Sequence, residues 1–142
     1  MILPMKKDPF PCRSNCPINY ALETFGDKWT LLIIRDLMFK AKTTYGDFLS
    51  SNEKMSTNIL ADRLKRLEKM GLVTKTIDAT NRAKSIYALT DKGKDLLPLM
   101  MEITQWSGKY FKDVNTSKEF LKRLEKDKQG VIDGIRSGWE NE

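Results

Sequence analysis

The stretch Ser56-Thr57-Asn58-Ile59-Leu60-Ala61-Asp62-Arg63-Leu64-Lys65-Arg66-Leu67-Glu68-Lys69-Met70-Gly71 reads as one helix with a start, two contrasting faces and a stop. Ser56 is placed to accept a hydrogen bond from a free N–H of the first turn, and Gly71 supplies the left-handed residue that closes many helices. Leu60, Leu64 and Leu67 project along one side, with Ile59 and Met70 at its margin. That side needs a core, since burying three leucines is worth roughly 6 kcal/mol gross. At about 100° per residue, Asn58, Asp62, Lys65 and Lys69 fall on the opposite side, with Arg66 beside them and Arg63 nearer the apolar margin. The opposite side faces water or a partner.

A Ser-Thr-Asn first turn followed by a basic back fits two situations. One is a solvated surface helix. The other is a helix that points its first turns at base edges in a DNA major groove, where short polar side chains bond at low entropic cost. The flanking sequence decides between them.

Upstream, a short helix is expected from Cys16-Pro17 to about Phe25, with an Ile18, Ala21, Leu22, Phe25 stripe, ended by Gly26. Asp27 caps the next helix, which runs through Trp29, Leu31 to Ile34 and Leu37 to Phe39. It is apolar nearly all round and is expected to be the central buried helix. Tyr45 to Leu49 is a short helix, and Ser50 to Met55 turns the chain into Ser56, giving helix, turn, helix. Downstream, Leu72 to Ile77 and Ser85 to Leu89 suit two strands of a hairpin, and the loop between them carries Asn81, Arg82 and Lys84 at a basic tip. The expected fold is mainly α with a small β-hairpin: a winged helix-turn-helix of three core helices and a wing.

Beyond the wing, Thr90 caps a long helix from Asp91 to about Phe111. In it Leu96, Leu99, Ile103, Trp106 and Tyr110 recur at three- and four-residue spacings, as in a coiled-coil seam. Leu97, Met100 and Met101 broaden the seam, and Pro98 is expected to bend the helix. The seam serves either intramolecular packing or dimerisation, and the latter is preferred because the three-helix core has apolar faces of its own. Thr116-Ser117-Lys118-Glu119 has capping-box spacing for a further helix with Phe120, Leu121 and Leu124 on its apolar side. Val131, Ile132, Ile135 and Trp139 suggest a weak final helix loosened by Gly130, Gly134 and Gly138. The organisation expected is an extended N-terminal arm over 1–15, a winged domain over 16–93, a dimerisation helix over 94–112 and a helical extension over 113–142.

Charge supports the reading of the central helix. The chain has 25 Lys and Arg against 19 acidic residues, net +6, and the segment from Lys54 to Lys94 alone holds ten basic residues against four acidic ones. A basic excess confined to one region points to a polyanion. Histidine is absent, which removes the commonest general base and metal ligand, and no glycine-rich phosphate loop occurs. An enzyme is therefore not expected, nor a cofactor. Cys12 and Cys16 cannot make a four-ligand zinc site alone, so no metal is expected. No apolar run is long enough to span a bilayer and no signal-peptide core is present, so a cytoplasmic protein without membrane contact is expected.

Several blocks together resemble the HxlR-type winged helix-turn-helix transcriptional regulators of bacteria and archaea. Cys16-Pro17 with Ala21-Leu22, then Gly26-Asp27-Lys28-Trp29 ahead of an apolar helix, is similar to the family's opening. Ser56, Leu60, Arg63-Leu64, Leu67-Glu68 and Gly71-Leu72 are similar to its recognition helix and exit. Tyr87-Ala88-Leu89-Thr90-Asp91-Lys92-Gly93, with Leu96, Pro98 and Trp106, resembles its post-wing block. The match covers about residues 12–111. It departs at Asp27, which interrupts the Gly-Lys-Trp pattern, and at Ala83, where the family's wing commonly has proline.

The resemblance implies a homodimer on double-stranded DNA, with recognition helices in successive major grooves about 34 Å apart reading an inverted repeat. On that basis Thr57, Asn58 and Lys65 approach bases. Ser56, Arg63 and Arg66 contact phosphate or orient the helix, and Arg82 with Lys84 brings the wing to the duplex. Asp62 is a candidate partner for Arg66. Repression is the action expected, although no residue separates it from activation. Cys16 is similar to the cysteine some family members use to sense oxidants or electrophiles, with Cys12 as a candidate resolving thiol and Lys28 as a neighbour; the alternative for Cys16 is a small buried residue. A small-molecule effector is left unknown. The competing reading is a winged helix that docks protein and not DNA, which the lysine-rich surface disfavours.

Overall fold

The computed structural model describes residues 12–140, and the N-terminal part of the expected arm, 1–11, lies outside the described residues. The chain divides into two compact units, Met1–Lys94 and Asp95–Glu142.

In the first unit α1 (Pro17–Phe25), α2 (Thr30–Phe39), α3 (Tyr45–Leu49) and α4 (Thr57–Lys69) precede a hairpin of β1 (Val73–Ile77) and β2 (Ser85–Leu89), followed by a single turn, α5 (Asp91–Lys94). The strands pair antiparallel from Val73 opposite Leu89 to Ile77 opposite Ser85. Residues 43 and 44 add a third edge to the wing: Tyr87 N–H donates to the Thr43 carbonyl at 2.8 Å, and Thr44 bridges to Ile86. Helix α2 buries Ile33, Ile34 and Met38, α3 buries Phe48, and α4 contributes Leu60, Leu64 and Leu67 at 0–1% exposure. The Phe48 ring meets Tyr87 of β2 edge-on at 6.2 Å, which joins the helices to the wing.

Three local signals set the helix-turn-helix. Thr44 and Asp47 form a reciprocal capping box at the start of α3. Ser56 Oγ accepts the Ile59 N–H at the start of α4, and Gly71 closes that helix at φ +74°. The turn between α3 and α4 is tied to α2 by a polar cluster that the sequence did not reveal. Asp36, 2% exposed, accepts from Ser51 Oγ and from Arg35. Arg35 in turn donates to both carboxylate oxygens of Glu53 at 2.8 and 2.9 Å, and Lys42 Nζ donates to Ser51 at 2.9 Å. The hydrogen bond from Arg35 brings the Glu53 carboxyl down to about 2. An acidic residue inside an otherwise apolar helix thus serves as the internal anchor of the turn.

In the second unit α6 (Leu97–Tyr110), α7 (Lys118–Lys126) and α8 (Lys128–Glu140) pack together. The long helix expected from Asp91 to Phe111 is in fact two, α5 and α6, separated by a turn at residues 95–96. Pro98 explains the break. It has no N–H to give to the Lys94 carbonyl, and its ring collides with that carbonyl, so α5 stops at Lys94 and Pro98 sits in the first turn of α6. The cap of α7 is Ser117, whose Oγ accepts the Phe120 N–H at 3.1 Å, one residue later than expected at Thr116. The final helix is complete despite its three glycines, because Val131 and Ile132 are buried.

Candidate nucleic-acid interface

Helix α4 offers its first turn and one side to solvent. Ser56, Thr57, Asn58, Ala61, Asp62, Lys65 and Lys69 are exposed. Its entry is fixed from α3, where the Tyr45 hydroxyl donates to the Thr57 carbonyl at 2.6 Å. The side chains of Thr57, Asn58 and Lys65 make no hydrogen bond or ion pair among the described residues, so this surface is preformed and uncommitted.

The two arginines of α4 are engaged inward. Arg63 Nε donates to Asp27 Oδ2 at 2.8 Å, and its terminal nitrogen pairs with Asp62. Arg66 donates to the Glu23 carbonyl, and Asp62, its expected partner, pairs with Arg63. Asp27, the departure from the Gly-Lys-Trp pattern, proves to be a junction. It accepts the Trp29 and Thr30 N–H groups at 3.0 and 3.1 Å and the Thr30 hydroxyl at 2.5 Å as well as Arg63. It therefore caps α2 from three residues ahead of the helix.

Between α4, the start of α3 and the wing lies a groove of about 950 Å³ whose rim carries Lys65 of α4, Lys75 of β1 and Lys84 of the wing loop. Asp47 and Glu68 temper it. The wing loop is built by its own side chains: Asp78 Oδ1 accepts from the Thr80 N–H and hydroxyl, Asn81 Oδ1 accepts the Ala83 N–H at 3.2 Å, and Asp78 N–H donates to the Lys84 carbonyl at 2.9 Å. These turns hold Arg82 and Lys84 exposed at the tip without the family's proline. Of the predicted contacts, Lys65 and Lys84 thus line one groove, while Thr57, Asn58 and Arg82 are exposed on α4 and the wing loop. Lys75 lines the same groove, and strand alternation conceals it, because it shares its face of β1 with the buried Val73.

The other predicted residues divide. Of the seam, Leu96 and Leu99 are partly covered, whereas Ile103, Trp106 and Tyr110 are 39%, 68% and 66% exposed, and the rings of Trp106 and Tyr110 pack 5.6 Å apart. Leu97, Met100 and Met101 are buried. Cys12 and Cys16 are both exposed and not joined by a disulfide, so Cys16 is not a buried filler. It sits at the N-cap of α1, while Lys28 lies over the Trp29 ring at 5.1 Å.

No helix among the described residues is long and apolar enough to cross a membrane. The model of the HxlR-like helix-turn-helix family matches residues 24–115. The HTH-type transcriptional regulator YdzF of Bacillus subtilis is 30% identical over 96 residues, which span 67% of this chain and 88% of YdzF. Among solved structures, PA1607, a candidate transcription factor, superposes with a TM-score of 0.65 at 36% identity over 74% of this chain and 72% of its own. The reduced form of the B. subtilis regulator YodB does so with 0.57 at 28% identity over 72% and 100%, and YodB has also been solved with a quinone bound. Family and relatives are regulators of transcription and not enzymes, and this chain belongs to the HxlR-like helix-turn-helix family of transcriptional regulators.

Proposed function

We propose that the chain binds double-stranded DNA as a homodimer in the cytoplasm and represses transcription from an inverted-repeat operator. Thr57, Asn58 and Lys65 read base edges in the major groove. Ser56 at the helix entrance meets phosphate, and Lys75, Lys84 and Arg82 carry the adjoining backbone across the groove to the wing. The observation that carries this reading is the division of labour on α4: its arginines are spent on the protein's own α1–α2 corner, and its shorter polar groups and Lys65 stand open. The exposed Ile103, Trp106 and Tyr110 supply the dimer contact. Exposed Cys16, with Cys12 four residues before it, is the site at which an oxidant or electrophile acts, in keeping with the quinone-bound form known for YodB.

Selection of bound duplexes from random DNA, with and without a thiol oxidant, tests the whole reading. A two-fold symmetric consensus with half-sites about one helical turn apart is expected. With about six phosphates neutralised per dimer, the log of affinity should fall with the log of salt at a slope near about −5. Binding that ignores salt, or recovery of no consensus, would remove the assignment.

A further inference from the structure

Helix α1 is attached to its domain in a way its sequence conceals. Only Thr24 among its residues is buried, and that hydroxyl donates back to the Tyr20 carbonyl. Ile18 and Leu22 of its apolar stripe stand 71% and 54% exposed. Hydrophobic seating is therefore confined to the half-buried Tyr20, Ala21 and Phe25.

Polar bonds to the neighbourhood of α4 add to it. The Glu23 carbonyl lies in the last turn of α1, where carbonyls lack intrahelical partners and the helix dipole favours a cation. Arg66 donates to it. The same device recurs at the end of α4: Lys92 Nζ donates to the Met70 carbonyl at 2.9 Å and to the Tyr20 hydroxyl of α1 at 3.2 Å. One helical turn before Arg66, Arg63 grips Asp27 at the α1–α2 corner. Both arginines lie at the margin between the buried and open faces of α4, where a bond restrains rotation of the helix about its own axis.

We propose that Arg66, assisted by Arg63, is a positioning residue: by capping the C-terminus of α1 it sets the rotation of α4, so that α1 is part of the reading apparatus. The proposal rests on the DNA-reading role given to α4. Its consequence is specific. Loss of the cap lets the base-reading side chains drift while the cationic surface remains, so selectivity falls and general attraction to DNA does not.

The experiment uses the full chain with Arg66→Met and Arg66→Lys, measured against the selected operator and against random duplex over a salt series, with thermal melts as a folding control. Arg66→Met is expected to weaken operator binding about tenfold and to leave random-duplex affinity and the salt slope unchanged. Arg66→Lys should recover most of the operator affinity, because an ammonium can donate to the same carbonyl. Equal weakening on both DNAs, with the slope reduced by about one, is the mark of a phosphate contact and overturns the proposal, as does unchanged selectivity in Arg66→Met. Should Arg66→Met fail to fold, Arg63→Met carries the same expectation and the same refuting outcomes. Failure of the parent chain to bind either duplex would instead strike the DNA reading itself.

Discussion

Helices α4 and α6 carry stripes of similar spacing and meet opposite fates. Leu60, Leu64 and Leu67 of α4 are sealed inside their own unit, whereas Ile103, Trp106 and Tyr110 of α6 lie open. Periodicity shows that a helix has an apolar side; it does not show which molecule covers it. The contrast also separates two kinds of energy. Burial in α4 stabilises the folded chain, and the α6 seam can contribute only on association. On α6 the packing partner is on the other side: a Cβ at Gly108 would meet Leu121 of α7 at 2.6 Å. Helix α7 thus holds α6 from one flank and leaves the seam uncovered.

The largest expected effect falls on the sealed stripe. Leu64→Ala leaves a cavity at a site 1% exposed and should cost about 3 kcal/mol of unfolding free energy, read by urea denaturation. A cost near zero would mean that α4 is not packed as described. Next comes the open stripe. Trp106→Ala should change the melting of the isolated protomer by less than about 0.5 kcal/mol, yet raise the dimer dissociation constant about thirtyfold in sedimentation equilibrium, as for an interface anchor worth about 2 kcal/mol. The opposite pattern, lost stability with unchanged association, would make the two stripes alike and place the dimer contact elsewhere.

What could be read beforehand follows from the range of the signals. The α4 helix, the hairpin and the caps at Ser56 and Gly71 are specified by residues within a few positions of one another, and they appear where expected. The reading weakened wherever a distant partner decides. Nothing near Asp36 announces that its carboxylate meets Ser51. Nothing near Arg66 names the Glu23 carbonyl; helical spacing points only to Asp62. The residues 43–44 at the wing edge carry no strand pattern of their own and join it through two bonds to β2. Pro98 is plain in the sequence, but its effect depends on what precedes it: set where the preceding helix has only one turn, it separates two helices and does not bend one. Within the site, exposed base-facing candidates were legible from helix geometry, while the division between reading and anchoring side chains was not.

The smallest effect concerns the anchor between α4 and the α1–α2 corner, which contrasts with both stripes in being polar. Burial is the strongest single influence on the Asp27 carboxyl and pushes it up. The hydrogen bonds from Thr30, Arg63 and the Trp29 N–H, with the charge of Arg63, outweigh it and hold the group at about 2, below its ordinary 3.8. The folded chain therefore binds this proton less readily than the unfolded one. The stabilisation is complete above about pH 4 and disappears as the pH falls through about 2. Because the Arg63–Asp27 pair is about one-quarter exposed, solvent screening leaves about 1 kcal/mol. Asp27→Asn keeps one oxygen to accept the Trp29 and Thr30 N–H groups and discards the charge, so it should cost about 1 kcal/mol at neutral pH and nothing further on acidification. The quantity to follow is the difference between parent and variant in urea unfolding from pH 6 down to 2.5, which cancels the parallel titration of Glu53. That difference should narrow steadily below pH 4; if it stays constant, Arg63 holds the corner through geometry alone and the charge on Asp27 is idle.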